Sequence, residues 1–182
     1  SISISVYNGE VEKYNLAKSF GLSFRGKFNG KIGYSFTEIL DEAAIDMLIN
    51  NAKNSADLIE NDDEAFIYEG DEKYSKVRTY SEDLQNIDPS KMIELALSTE
   101  EEAKKYSDKV VNINGCKISY SSSNYGIYNT KGLELTNKDN ILTSYVVPVV
   151  EDKNGKNDGV GYVVASSLDD VNPKAIAKQG VE

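Results

Sequence analysis

The stretch RGKFNGKIGYS, Arg25 to Ser35, holds glycines, a Gly-Lys pair and a nearby serine, the ingredients of a phosphate-cradling loop. The spacing excludes that chemistry. Such a loop needs four residues between its first glycine and the Gly-Lys pair, with Ser or Thr directly after. Here three residues separate Gly26 from Gly30, and Ile32 occupies the position of the hydroxyl. The chain also contains no histidine. Imidazole-based zinc sites and Ser-His-Asp or Cys-His nucleophile systems are therefore excluded, along with the commonest general base. Carboxylates, lysines, tyrosines and the single cysteine, Cys116, remain.

None of these forms a convincing catalytic constellation. Cys116 follows Gly115 at the start of an expected strand, with no histidine to activate it, and reads as a buried structural thiol. The pairs Glu10/Glu12 and Asp169/Asp170 have the chemistry for acid–base work, but among 30 acidic residues such pairs arise by chance. The acidic run from Glu60 to Glu64 lacks the alternating ligands and central glycine of a calcium loop and reads as a solvated linker. Tyr120, Tyr125 and Tyr128 lie in SYSSSNYGIYNTKG. Interleaved rings and polar groups suit a platform for peptide or sugar. They also suit half-buried strand tyrosines with wet hydroxyls, the reading that the acidic charge and missing Arg cluster favour. The sequence thus nominates no catalytic, cofactor-binding or metal-ligating residue.

Composition narrows the partners. The 182 residues carry a net charge of −10, with the acid surplus spread along the chain. Nucleic-acid affinity rests on Lys and Arg displacing counterions, so direct binding to nucleic acid is not expected, nor to an anionic membrane. No apolar run approaches the length that crosses a bilayer. One cysteine allows no internal disulfide, which suits a reducing, cytoplasmic setting. The chain lacks an initiator Met, and its terminal helix stops after under three turns. Together these predict a piece of a longer protein.

The elements that would position these residues follow from periodicity. Ile2, Ile4 and Val6 alternate with serines, and Asn8-Gly9 predicts a hairpin turn leading to Glu10–Tyr14. A strand over Ser19–Arg25 aligns Phe20, Leu22 and Phe24; Asn29-Gly30 turns it back through Lys31–Phe36, aligning Ile32, Tyr34 and Phe36. This hairpin replaces the phosphate-loop reading. Thr37 is the expected cap of a helix from Glu38 to about Glu60, with a stripe of Ile45, Leu48, Ile49, Ala52, Ala56 and Ile59. Residues 61–88 read as an irregular excursion, with short extended pieces at Phe66–Tyr68 and Tyr74–Tyr80. Asp88-Pro89 opens a second helix, with Met92, Leu95, Ala96, Ala103 and Tyr106 inward and Glu94, Glu100, Glu101, Lys104 and Lys105 solvated. Further strands are expected at Val110–Gly115 (ending in a turn), Cys116–Ser123, Tyr125–Tyr128, from Leu133, at Ile141–Val150, and, after a long polar turn over 152–159, at Val160–Ser166. Asn172-Pro173 starts the last helix. The expected class is α+β: mostly antiparallel sheet, two long amphipathic helices packed on one face, and a truncated C-terminal helix.

The order of these motifs resembles the N-terminal domain of the TldD/PmbA family, also described as modulators of DNA gyrase and as zinc metalloproteases. Gly9-Glu10-Val11-Glu12, Gly21-Leu22 with Arg25, and Gly30-Lys31-Ile32-Gly33-Tyr34-Ser35 match the family pattern in order. IDPSKMIELALSTEEEAKKYSDKV is similar to its second helix, and YNTKGLEL to its Asn-Ser-x-Gly turn, with Thr130 in place of Ser. VNPKAIAKQGVE is similar to the helix that leads into the family's C-terminal half. The resemblance implies one N-terminal domain over 1–182: strands and helix in 1–60, excursion in 61–88, helix in 89–108, strands in 109–171, and a linking helix from 172. The missing Trp-containing first-strand pattern leans toward the PmbA (TldE) branch. The family's zinc motif, His-Glu-x-x-x-His on a helix, has no match here, so no catalytic role transfers. Zinc is implied only for the full-length system or a partner subunit. The implied partners are a peptide substrate, as in microcin maturation and antitoxin degradation, and a TldD-like subunit in a homo- or hetero-oligomer. A free sheet edge would be the physical means of holding an extended peptide. Two other readings stand beside this one: a stand-alone peptide- or glycan-binding module, and hydrolysis by this chain alone.

Overall fold

A computed structural model describes residues 1–60 and 65–182. In chain order the elements are β1 Ile2–Tyr7, β2 Glu10–Leu16, β3 Leu22–Phe28, β4 Lys31–Thr37 and α1 Glu42–Asp57, then α2 Pro89–Tyr106, β5 Val110–Tyr128, β6 Glu134–Asp152, β7 Gly155–Asp158, β8 Gly161–Ala165 and α3 Pro173–Val181. The class is α+β with mainly antiparallel sheet. The chain divides into two units: Ser1–Ala17, Lys76–Tyr125 and Thr136–Glu182 form one, and Lys18–Ser75 with Gly126–Leu135 form the other. The acidic run flanking residue 62, weighed above as a calcium loop, lies largely outside the described residues.

The first unit is a six-stranded sheet in the order β2-β1-β5-β6-β7, with β8 also pairing with β6. Strand β1 is thus interior to the sheet. Asn8 and Gly9 both take positive φ, 53° and 80°, as a tight turn of this hand requires. Period two turns Ile4 and Val6 inward beside Ile113, Cys116, Ile118, Leu142 and Val146, onto Met92, Ala96, Ala103, Ile176 and Ala177 of the helices. Asp88 caps α2, accepting from the Ser90 N–H at 2.9 Å, and Asn172 caps α3, accepting from the Ala175 N–H at 3.1 Å. α3 lies unusually close to β8: a Cβ on Gly161 would sit 1.8 Å from the Ile176 carbonyl oxygen.

Several expectations fail in this unit. No turn interrupts Val110–Tyr128 at Asn114-Gly115: the strand runs on through both residues, with Tyr145 and Val147 beside Gly115. β6 likewise runs unbroken from Glu134 to Asp152. The long polar turn over 152–159 is instead a tight reversal at Lys153-Asn154 followed by β7, whose Gly155–Asp158 pairs with Val149–Asp152. The Asn154 N–H donates to Asp152 Oδ1 at 2.8 Å, which fixes that reversal. Glu100, expected in water, is 1 % exposed. Its Oε1 accepts from the Asn8 N–H at 2.7 Å and its Oε2 from the Gly9 N–H at 2.8 Å, and Lys104 Nζ lies 3.0 Å away. The hairpin turn has two orphan donors, and a carboxylate from α2 satisfies both.

In the second unit α1 covers the β3–β4 hairpin. Asn29 and Gly30 make the turn at φ 49° and 86°. The helix begins at Asp41, whose Oδ1 accepts from the Ala44 N–H at 2.8 Å; the expected cap, Thr37, instead accepts from the Ile39 N–H at 3.0 Å in the preceding turn. The face of β4 is the reverse of the one expected from its apolar residues. Tyr34 and Phe36 are half exposed, while Gly33, Ser35 and Thr37 are buried. Small residues win because they let the helix backbone approach: a Cβ on Gly33 would lie 1.6 Å from the Ala52 carbonyl oxygen, and Ser35 Oγ donates to the Leu48 carbonyl at 2.7 Å. Accordingly α1 buries Ala44, Leu48, Ala52 and Ala56 and leaves Ile45 and Ile49 exposed. The short strands expected at Phe66–Tyr68 and Tyr74–Tyr80 do not form. The segment near Tyr68 is fastened by side chains instead: Asn129 Nδ2 donates to the Tyr68 carbonyl at 2.6 Å, and Lys131 pairs with Glu69 at 2.8 Å.

Candidate binding site between β1 and β5

Two strand ladders become irregular at one place. β1 pairs with β5 from Ile2↔Tyr120 to Ser5↔Lys117, and the pairing goes no further. β1 pairs with β2 throughout, but the register passes from Ser5↔Lys13 to Val6↔Val11 and leaves Glu12 without an opposite residue. Glu12 is thus the extra residue of a β-bulge, the device that bends a strand and re-aims a side chain. β1 leaves β5 at that point, and the sheet opens into a cavity of about 400 Å³. Its walls are Ser5, Val6, Tyr7 and Glu12 from the hairpin, Asn112 to Cys116 from β5, and Tyr145 from β6.

The polar groups of β5 at this opening are held in place. Asn112 Nδ2 donates to Asn114 Oδ1 at 3.1 Å, and Asn114 Nδ2 donates to both oxygens of Asp158 at 3.1 to 3.2 Å. The Asn114 amide is therefore spent on neighbours. Glu12 is the one charged residue of the lining, beside the hydroxyl of Ser5, the Asn112 amide and the tyrosines Tyr7 and Tyr145.

The residues weighed from sequence lie elsewhere, apart from Glu12 and Cys116. Cys116 borders the opening but points its thiol into the core, donating to the Ala96 carbonyl at 3.4 Å. Burial is the main cause that pushes this thiol up to about 12, with Glu100 adding to it. At pH 8 that leaves roughly one molecule in ten thousand as thiolate, and the thiolate is the reactive form. Cys116 is expected to resist iodoacetamide at pH 8 while the chain is folded and to react fully in urea, as counted by mass spectrometry. The unfolded thiol loses its proton near 9.0 and the folded one near 12, so this group lowers stability as pH rises between those values.

Asp170 is structural, its Oδ2 accepting from the Ser166 and Ser167 N–H groups at 3.1 and 2.9 Å. Tyr120 packs on the core, while Tyr125, an odd number of positions along the strand, is half exposed and takes a hydrogen bond from Asn137 Nδ2 at 2.9 Å. Alternation puts those two rings on opposite faces, so they share no platform. Where tyrosine acidity is displaced, it moves away from a nucleophile's: a hydrogen bond to Asp71 raises Tyr68, burial raises Tyr80, and a hydrogen bond to Glu182 raises Tyr106. Among the described residues no three of His, Cys, Asp and Glu come together as metal ligands. The site at Glu12 was not legible in sequence, because a bulge is a property of register between two strands.

Comparisons with known proteins agree on one lineage. The family model for the PmbA/TldA metallopeptidase central domain matches residues 82–182, and that for PmbA/TldA metallopeptidase domain 1 matches residues 1–56. Among solved structures, a proposed modulator of a DNA gyrase from Thermotoga maritima shares 21 % identity at a TM-score of 0.85. TldE from Thermococcus kodakarensis shares 16 % at 0.84, and a proposed modulator of DNA gyrase from Bacteroides thetaiotaomicron 18 % at 0.82. Each covers 98 % of this chain, while the chain covers only 40 to 41 % of theirs. No curated protein matches.

Proposed function

The chain belongs to the PmbA/TldA metallopeptidase family, and on that premise we propose that it is a non-catalytic, substrate-handling part of a peptidase system. A hydrolytic zinc centre of the family's kind needs imidazole ligands, and this chain has no histidine. The residues present do not fit such a metal. The zinc of the system then belongs to chain outside these 182 residues or to a TldD-like partner subunit, in a homo- or hetero-oligomer in the cytoplasm. Any effect on a DNA gyrase would pass through processing of peptide or protein, since a chain of net charge −10 has little to offer DNA.

The observation that carries the substrate-handling reading is β2. It ends the six-stranded sheet, and all seven of its residues are exposed. An edge strand presents unpaired N–H and C=O groups that an extended peptide can join as a further strand. A platform of Tyr120, Tyr125 and Tyr128 is weakened, because Tyr120 packs on the core while Tyr125 is half exposed. The test is a binding titration with an unstructured peptide and its alternately N-methylated twin. Methylation removes the donors of one peptide edge and leaves the side chains intact. The unmodified peptide is expected to bind at least tenfold more tightly and to slow amide exchange in Glu10–Leu16. Equal binding of the two, or protection elsewhere only, would refute strand addition.

A further inference from the structure

We propose that the opening between β1 and β5 binds a cationic group, the guanidinium or ammonium of a basic peptide residue; the peptide source rests on the substrate-handling reading above. Three observations converge. First, both ladders of β1 become irregular after Ser5, and the residue expelled from register, Glu12, lines the cavity that results. A bulge that only protected the edge would have no need to put its extra side chain on a cavity wall. Secondly, the one charged side chain among the lining residues is a carboxylate, Glu12, and none of them is Lys or Arg. An ionised Glu12 only accepts, and Asn114 has its amide nitrogen on both oxygens of Asp158. Lys13 and Lys117, which stand opposite Ser5, are not among the lining residues. Thirdly, the opening is lined by two tyrosines, Tyr7 and Tyr145, that are 46 % and 37 % exposed, and aromatic rings attract a guanidinium or ammonium. The net charge of −10 adds a field that concentrates cations at the surface. A volume of about 400 Å³ accommodates one long side chain with adjoining backbone.

The test compares the acetylated, amidated tripeptide Ala-Arg-Ala with its citrulline counterpart, which keeps the shape and loses the charge. Titration calorimetry at low salt is run on the 182-residue chain and on Glu12→Gln, an isosteric change at an exposed position. The arginine peptide is expected to bind at least tenfold more tightly than the citrulline peptide, and Glu12→Gln should abolish that preference. A lysine tripeptide and an unblocked Ala-Ala-Ala distinguish a side-chain cation from a terminal ammonium. Equal affinity for arginine and citrulline, or a preference that survives Glu12→Gln, overturns the assignment. If no peptide binds, the peptide reading falls alone, and arginine amide becomes the probe. Amide shifts confined to Tyr7, Asn114, Gly115 and Tyr145 then sustain the cation site, and their absence overturns it.

Discussion

Glu100→Ala is expected to cost about 3 kcal/mol of folding free energy, far more than an ordinary helix substitution. The carboxylate is buried and accepts from both N–H groups of the Asn8-Gly9 turn, 2.7 and 2.8 Å away. Hydrogen bonds to a charged acceptor contribute about 1.5–3 kcal/mol each. Truncation leaves two donors facing a void, although Asn8 and Gly9 are exposed enough for water to recover part of the loss. The Lys104 pair adds little, because the lysine side chain is 39 % exposed and its charge screened, so Lys104→Ala is expected to cost less than about 1 kcal/mol. Glu100→Gln should fall between the two, since its amide nitrogen cannot accept from the second donor. Urea unfolding gives the three values. An unfolding free energy for Glu100→Ala within about 1 kcal/mol of the parent's would mean that the turn closes without this carboxylate.

Gly161→Ala is expected to be worse, about 4 kcal/mol or more, with loss of α3 from the sheet. The added Cβ would lie 1.8 Å from the Ile176 carbonyl oxygen and 2.8 Å from the Gly180 nitrogen. Both are backbone atoms, so no rotamer change relieves the overlap and the helix itself must move. Gly115→Ala is the control: its Cβ would meet only side-chain carbons of Tyr145 and Val147 at 3.6 and 3.9 Å, ordinary contact distances. It should change stability by under about 0.5 kcal/mol. Thermal unfolding compares the two, and amide exchange over Pro173–Val181 reports whether the helix has come away. A stable Gly161→Ala with a protected α3 would show that the helix can be displaced cheaply.

What could be read from sequence was what local chemistry decides. Asn8-Gly9 and Asn29-Gly30 needed only the positive-φ preference of their residues. Asp88-Pro89 and Asn172-Pro173 needed only the orphan N–H groups of a helix start. The failures are tertiary. Thr37 satisfied the same capping rule as Asp41 and lost because β4 extends through it. Ile32, Tyr34 and Phe36 looked like a core face and were not, because a helix packs closest over Gly33 and Ser35. Glu100 looked solvated because nothing in the helix pattern announces a turn 92 residues earlier. Glu12 was indistinguishable from Glu10 until register singled it out. The family resemblance succeeded where single motifs were soft, since it depended on their order rather than on the surroundings of any one residue.

The interior position of β1 has a cost during synthesis. Its outer neighbour β2 emerges almost at once, but its inner neighbour does not: Ser5 waits for Lys117, 112 positions later by their numbers. At roughly 5–20 residues per second the nascent hairpin then spends on the order of 5–20 s with an unmatched inner side. For that interval the ribosome-bound chain is exposed to mispairing with a neighbouring copy, and a chaperone that shields Ile2–Tyr7 would improve the yield of correctly folded molecules.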